Sequence, residues 1–302
     1  MPTHISQKMG LHINSHSEIE FVDIVLSPDK KLFLDPCLIE MGKDSWSIQA
    51  QGSISSYFDC FYGLYRQGAS MKSKLDMFEH AHEINATKLG YGSGHNGKAK
   101  TAEGMIITFT PIESLLNSGI NMQYANDLPI FIRNFAEDCL SDMLTNILFK
   151  VLSDFTLEQC RKKGIETKSI TEKCYYWDIE TSSWQLYRGE CLIVDGDIIL
   201  LVPKHFVRQR YYFNTTQFFS RVILGKIQED ESWVDSSGKK QKPSKKDLRN
   251  KYKGDSSTLD CSIEFTRKNP SYLLNYHQIL PSLYSVQAMS DEKLDKIVYG
   301  IR

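Results

Sequence analysis

No stretch of this 302-residue chain reaches the ~18 consecutive apolar residues that a membrane span requires. The first twenty residues, MPTHISQKMGLHINSHSEIE, hold no apolar core and no small-residue cleavage pattern, so the expectation is a cytoplasmic protein without a secretory signal. Charge of either sign is not in excess. The formal net charge is −1, so any attraction to a polyanion must come from local clustering rather than from the whole molecule. Seven cysteines, at 37, 60, 139, 160, 174, 191 and 261, include no CxxC pair. An odd number in mostly apolar surroundings reads as reduced core thiols. A Ser-His-Asp order, a dinucleotide-binding glycine fingerprint, a zinc cluster and internal repeats are all missing as well. His80 and His82 diverge on a helix, so they make no zinc pair.

What is present begins with Pro129 to Cys160, the longest run of helical periodicity. Its apolar face carries Phe135, Leu140, Met143, Leu144, Ile147 and Phe155 among others. Its other face carries Asn134, Asp138, Ser141, Asp142, Thr145 and Asn146, residues that compete with the helix backbone and are poor choices for a solvated helix. Three turns of short polar side chains suggest a covered polar site, in which Asp138, Asp142 and Asn146 point to one side at i, i+4 and i+8. The bland alternative is a helix with a neutral surface.

Taken in order, Ile19–Leu26 and Lys31–Leu34 read as a hairpin that ends at Asp35-Pro36, leaving Asp35 at a strand terminus. Ser53–Tyr65 and Met71–Glu83 read as helices, the first rich in aromatics. The following segment holds Gly90, Gly92, Gly94, Gly97 and Gly104, with Lys88, Lys98 and Lys100 among them and Glu83 just before it. Gly92 to Lys98 spells GxxxxGK, but Ala99 replaces the hydroxyl that would bind magnesium, and no buried strand precedes it. The loop can still offer backbone N–H groups and lysines to phosphate, or serve as a surface lid.

Met105–Thr110 reads as a buried strand and Ile112–Leu116 as a short helix. Tyr175–Asp178 with Trp184–Tyr187, and Cys191–Val194 with Ile198–Val202 over Asp195-Gly196-Asp197, read as hairpins. Lys204 follows the last apolar run. Arg208, Arg210, Tyr211, Tyr212, Phe213 and Arg221 interleave cations with aromatics, as a surface that stacks bases and neutralises phosphates does. A helix from Thr215 is capped by Asn214. Residues 228–258 then form a charged insertion, acidic first and basic after, with Lys245, Lys246 and Arg249 on a short helix capped by Ser244 and Asp247. Leu259–Phe265 reads as a last strand, Asn269–Leu280 as a helix stopped by Pro281, and Ser290 as the cap of a final helix. The expected whole is one α+β domain over 1–302, with a mixed or antiparallel sheet and the long helix packed on it.

Scattered acids (Asp35, Glu83, Asp138, Asp142), a strand-end lysine (Lys204) and basic–aromatic tracts suggest a magnesium- or manganese-dependent nuclease. There Asp138, Asp142 and Asn146 hold the metal, and Lys88, Lys98, Lys100, Arg208, Arg210, Lys245, Lys246 and Arg249 hold phosphate. Acid and lysine placed in this way resemble the restriction-endonuclease-like PD-(D/E)XK fold, although Val202 stands where that pattern has its acid, so Asp142 or Asp35 must supply it. LFLDP, LGYGSGHNGKAKT, LSDMLTNIL and ILLVPK are similar to blocks in uncharacterised bacterial proteins of anti-phage defence. That resemblance implies a setting, not a reaction. Two further readings stand beside it: a non-catalytic module that binds nucleic acid or a partner protein, including a second copy of itself, and a nucleotide-binding enzyme using Gly92–Lys98.

Overall fold

A computed structural model describes residues 3–27, 30–81, 85–90, 101–170, 172–254, 256–284 and 287–300, and of 280–284 the backbone alone. The protein is α+β, with small antiparallel sheets set among helices. Among the described residues no helix is long and apolar enough to cross a membrane.

After a short helix α1 (Ile5–Lys8), the run IEFVDIVL is not half of a hairpin. Phe21, Val22, Ile24 and Val25 are all buried, so the segment has no wet face to fix a hairpin register. Distant neighbours take its backbone groups instead: Val22 N–H donates to the Val202 carbonyl at 2.9 Å, and Ile5 N–H to that of Ile24 at 2.9 Å. Strand β1 (Phe33–Leu34) likewise pairs across the chain, antiparallel to β7 (Val207–Arg208).

Asp35 ends β1 and caps α2 (Pro36–Met41), whose first residue is a proline with no N–H to satisfy. Asp44 caps the longest helix, α3 (Ser45–Arg66), accepting from the N–H groups of Trp46 and Ser47. Its inner face buries Tyr57, Phe58, Phe61, Tyr62 and Tyr65. Helix α4 (Met71–Phe78) packs beside α5 (Ala102–Phe109), where a strand was expected. Thr101 caps α5. Met105, Ile106 and Phe109 are buried while Ile107 is 74% exposed, a helical rather than an alternating pattern. Helix α6 (Pro111–Asn117) follows.

The run 129–160 is broken twice, into α7 (Leu128–Phe131), α8 (Glu137–Ile147) and α9 (Phe149–Lys163). Ile132 is extended and Asn134 is left-handed at φ 59°, a conformation that asparagine tolerates better than most residues. The polar face of α8 is covered in part: Ser141, Thr145 and Asn146 are buried, while Asp138 and Asp142 are half-buried. Ser141 Oγ accepts the Leu34 N–H of β1 at 3.0 Å, so one of these side chains completes the end of a strand.

Strands β2 (Lys168–Ser169), β5 (Glu190–Val194) and β6 (Asp197–Ile199) form one sheet, and β3 (Tyr175–Asp178) with β4 (Ser183–Leu186) another. Asp195 and Gly196, both at positive φ, make a two-residue turn between β5 and β6, one residue shorter than the expected Asp195-Gly196-Asp197, because Asp197 already pairs with Val194. Helix α9 packs on both sheets.

Beyond β7, Asn214 caps α10 (Thr215–Gln217), which runs through a wider turn at Phe218–Ile223 into α11 (Leu224–Asp230). A small hairpin, β8 (Trp233–Val234) and β9 (Lys240–Gln241), precedes α12 (Lys245–Lys253), capped by Ser244. The expected last strand is α13 (Thr258–Lys268), capped by Ser257, with Ser262 and Thr266 buried four apart. Helix α14 (Ser271–Tyr284) runs past Pro281, whose missing N–H costs one bond near the helix end. Ser290 caps α15 (Asp291–Val298). One contiguous hydrophobic cluster takes in residues from Ile5 to Val298, and all seven cysteines are free.

Candidate functional site

The pairing of β1 with β7 brings Asp35 beneath the segment 208–214. Asp35 is wholly buried. Its carboxylate accepts the Cys37 N–H at 2.9 Å and the Tyr212 N–H at 3.2 Å. Burial pushes its pKa up to about 6, although those two N–H groups and the Arg208 charge pull the other way. The neighbouring Tyr211 hydroxyl donates to the Glu137 carbonyl at 2.9 Å, at the start of α8. Burial first, and then the charges of Asp35, Glu137, Asp142 and Asp138, hold this phenol far above the ordinary range. Three of the sequence-flagged acids therefore lie within electrostatic reach of one buried ring.

Asp138 and Asp142 are half-buried on α8. Asp138 Oδ1 lies against Gly90, where an added Cβ would stand only 3.0 Å away on a backbone at φ 145°. Glycine is needed at this close approach, immediately before the glycine–lysine loop. Residues 91–100 of that loop, and with them Lys98 and Lys100, lie outside the described residues, as does Glu83.

Over Tyr211 opens a cleft of about 820 Å³, bounded by the α7–α8 junction, residues 208–217 and the start of α13. Lys31, Arg133, Arg208 and Arg210 line it, against one carboxylate among the described lining residues, Glu137. The Arg208 guanidinium sits 3.6 Å from the centre of the Tyr212 ring, which fixes its plane. Arg133 shares its charge with Asp260, at 2.9 Å. Sequence reasoning found Arg208 and Arg210 through their aromatic neighbours. It missed Lys31 and Arg133, which have no aromatic neighbours interleaved with cations to mark them. The one available hint was Arg133-Asn134, a charged break in an otherwise apolar helical run.

The other flagged residues lie elsewhere. Lys204 begins a short 3-10 turn, and its amine donates to the His16 carbonyl and to Asp291 Oδ1, both at 2.6 Å. Those bonds tie it to α15 rather than to the acids around Tyr211. Lys88 pairs with Asp197 at 3.0 Å. Asn146 donates from Nδ2 to the Asp142 carbonyl at 3.2 Å. In the charged segment, Lys245 donates to the Ser220 carbonyl, Arg249 lies over Phe219, and Lys246 is exposed on α12. Glu229 takes Lys240 and Lys242, and Glu231 takes Lys251. Those two lysines hold the Glu229 carboxyl down to about 2. Two acids of the segment thus hold three of its lysines. Among the described residues no three His, Cys, Asp or Glu side chains come together as metal ligands.

A family model described as "Domain of unknown function (DUF8370)" matches residues 10–214, which take in Lys31, Arg133, Arg208 and Arg210. No curated protein and no solved structure matches the chain.

Proposed function

The chain belongs to the DUF8370 family, a description that names no activity, and from the geometry of the cleft we propose that it binds the phosphate backbone of a nucleic acid there. The observation that carries this reading is the gathering of Lys31, Arg133, Arg208 and Arg210 along a cleft whose described lining residues include one carboxylate, Glu137. Positive side chains so arranged favour a polyanion despite a net charge of −1 for the whole protein. The Arg208–Tyr212 stack adds a planar surface of the kind on which bases stack.

The test is fluorescence anisotropy with labelled single-stranded DNA, single-stranded RNA and duplex, titrated over a range of salt. Replacing Lys31 and Arg210, both exposed, by glutamate removes two phosphate contacts. The logarithmic salt slope then falls by roughly 1.4 to 1.8, at about 0.7 to 0.9 per contact. Equal affinity and equal slope in the double variant would end the proposal.

A finer reading is metal-dependent phosphodiester cleavage. Asp138 and Asp142, four residues apart on α8 and both in electrostatic reach of Tyr211, support it. These two would hold a magnesium or manganese ion together with water and phosphate oxygens, since magnesium commonly uses one or two carboxylates and its substrate's phosphates. The ion would supply charge to the attacked phosphate. Plasmid and RNA incubated with and without either metal test it. Substrates left intact by the wild type, or cut equally by Asp142→Ala, leave binding alone. The employment of Lys204 in the α15 contact favours that simpler outcome, a sensor or adaptor.

A further inference from the structure

Three helices meet the cationic cleft end-on. Helix α8 lines it with Ala136 and Glu137, and α13 with Ser257 and Leu259. The helical stretch that starts at Thr215 and runs unbroken to Asp230 lines it with its cap Asn214 and its first residues. Among the described residues none of the three lines the cleft beyond its first turn. The cleft therefore faces helix starts, where backbone N–H groups have no partner within the helix and the aligned peptide dipoles leave partial positive charge. Asn214 and Ser257 each take one N–H of their own helix, and α8 has no side-chain cap. The last turn of α7, an end of opposite polarity, also borders the cleft. There the Thr215 hydroxyl donates to the Pro129 carbonyl at 2.8 Å and occupies it.

The four cations reach the same space from other parts of the fold. Lys31 precedes β1, Arg133 stands between α7 and α8, and Arg208 and Arg210 lie at and beyond β7. Side chains and helix starts are two independent sources of positive potential, and both open on one cavity. Against them stands Glu137, with Asp260 taking a share of Arg133. At about 820 Å³ the cleft falls among pockets that enclose a small ligand, of roughly 300–1,000 Å³. That size suits the end of one strand better than a length of duplex.

Donors arriving from several sides favour a terminal phosphate over an internal one. The phosphomonoester at a strand end carries about −1.5 to −2 charges at neutral pH and three acceptor oxygens. An internal diester carries a single charge and has sugar on both sides. We propose that the cleft holds the terminal phosphate of a single-stranded nucleic acid. The starts of α8 and α13, with Arg133 tied to Asp260 between them, and the start at Thr215 surround the phosphate. The Arg208–Tyr212 stack lies beside the adjoining base. This rests on the cleft being a nucleic-acid site and adds which part of the strand enters it.

Fluorescence anisotropy tests it with internally labelled single strands of one sequence that carry a 5′ phosphate, a 3′ phosphate, or hydroxyls at both ends. The phosphate at the accepted end should tighten binding by about tenfold or more, the effect of one hydrogen bond to a charged group. Which end responds gives the polarity of the strand. Thr258→Pro removes one N–H from the start of α13. Proline suits this first helical position, and Ser257 before it is already extended at ψ 155°, so the helix is kept. In this variant the preference for the phosphorylated strand should fall roughly threefold or more, and thermal melting checks that it is folded. Equal affinity for phosphorylated and hydroxyl strands in the wild type overturns the proposal and leaves the cleft a general backbone site. An undiminished preference in Thr258→Pro overturns it too, since the helix starts then hold nothing. Adenosine monophosphate competing as strongly as the phosphorylated strand overturns it in favour of a free nucleotide. Binding of no strand at all, with or without the phosphate, removes the underlying reading as well.

Discussion

Asp35→Asn should abolish a pH dependence of stability that the wild type shows between about pH 4 and pH 7. The carboxyl moves from 3.8 to about 6 in the folded protein, so the native state holds its proton more tightly than the unfolded chain does. A raised carboxyl contributes stability that is fully present below 3.8 and is lost as pH rises through 6. At about 1.36 kcal/mol per unit, a shift of roughly two units amounts to about 3 kcal/mol. Desolvation prevails because the side chain is completely buried, and it outweighs the backbone N–H groups of Cys37, Tyr212 and Leu38 and the Arg208 charge that favour the ionised form. Asparagine keeps one acceptor oxygen for Cys37 and presents its amino group toward the Tyr212 N–H, a fixed cost that does not titrate. The advantage of wild type over variant, from urea unfolding at a series of pH values, should therefore shrink by about 3 kcal/mol from below pH 4 to above pH 7. A difference constant with pH would refute the reasoning. A difference growing with pH would mean that the backbone donors and Arg208 outweigh burial.

Other substitutions probe other parts of the argument. Ser141→Ala leaves the buried Leu34 N–H without its acceptor and should cost about 1–3 kcal/mol, seen as a lower urea midpoint and faster exchange of that amide. An unchanged midpoint would show that the polar face of α8 is not needed to close β1. Gly90→Ala places a methyl group 3.0 Å from Asp138 Oδ1 on a left-handed backbone, and a loss of about 1 kcal/mol or more in thermal unfolding is expected. Lys204→Met removes both the Asp291 and the His16 contacts, so α15 should become open to limited proteolysis before the rest of the protein. If cleavage there is no faster than in the wild type, the lysine does not hold the helix.

Local chemistry carried much of the fold into the sequence. Asn214, Ser244 and Ser290 cap helices where side-chain oxygen and following pattern indicated, and Asp195-Gly196 turns the hairpin it spells. MIITFT and LDCSIEF misled because a short apolar run reads alike as strand or helix. Their caps, Thr101 and Ser257, were the better guide. The break at Ile132–Asn134 was hidden for a different reason: a left-handed asparagine is stabilised by what surrounds it, not by its neighbours in sequence. In the cleft, Arg208 and Arg210 were legible beside their tyrosines, whereas Lys31 and Arg133 join them only because β1 pairs with β7 and the helical run is interrupted. Lys204 followed an apolar run as expected, but a 3-10 turn directs its amine to His16 and Asp291.

Helix α15 is fastened to the opening segment through His16 and Asp295, 279 positions apart, and through Tyr299 and Asp23, 276 apart. Knotting together points so distant along a chain carries a large entropic toll, and the contacts reward it only once everything between them is in place. In a refolding experiment this clasp should be the final event, trailing the burial of the aromatic core. Under rising temperature it should be the earliest to come undone.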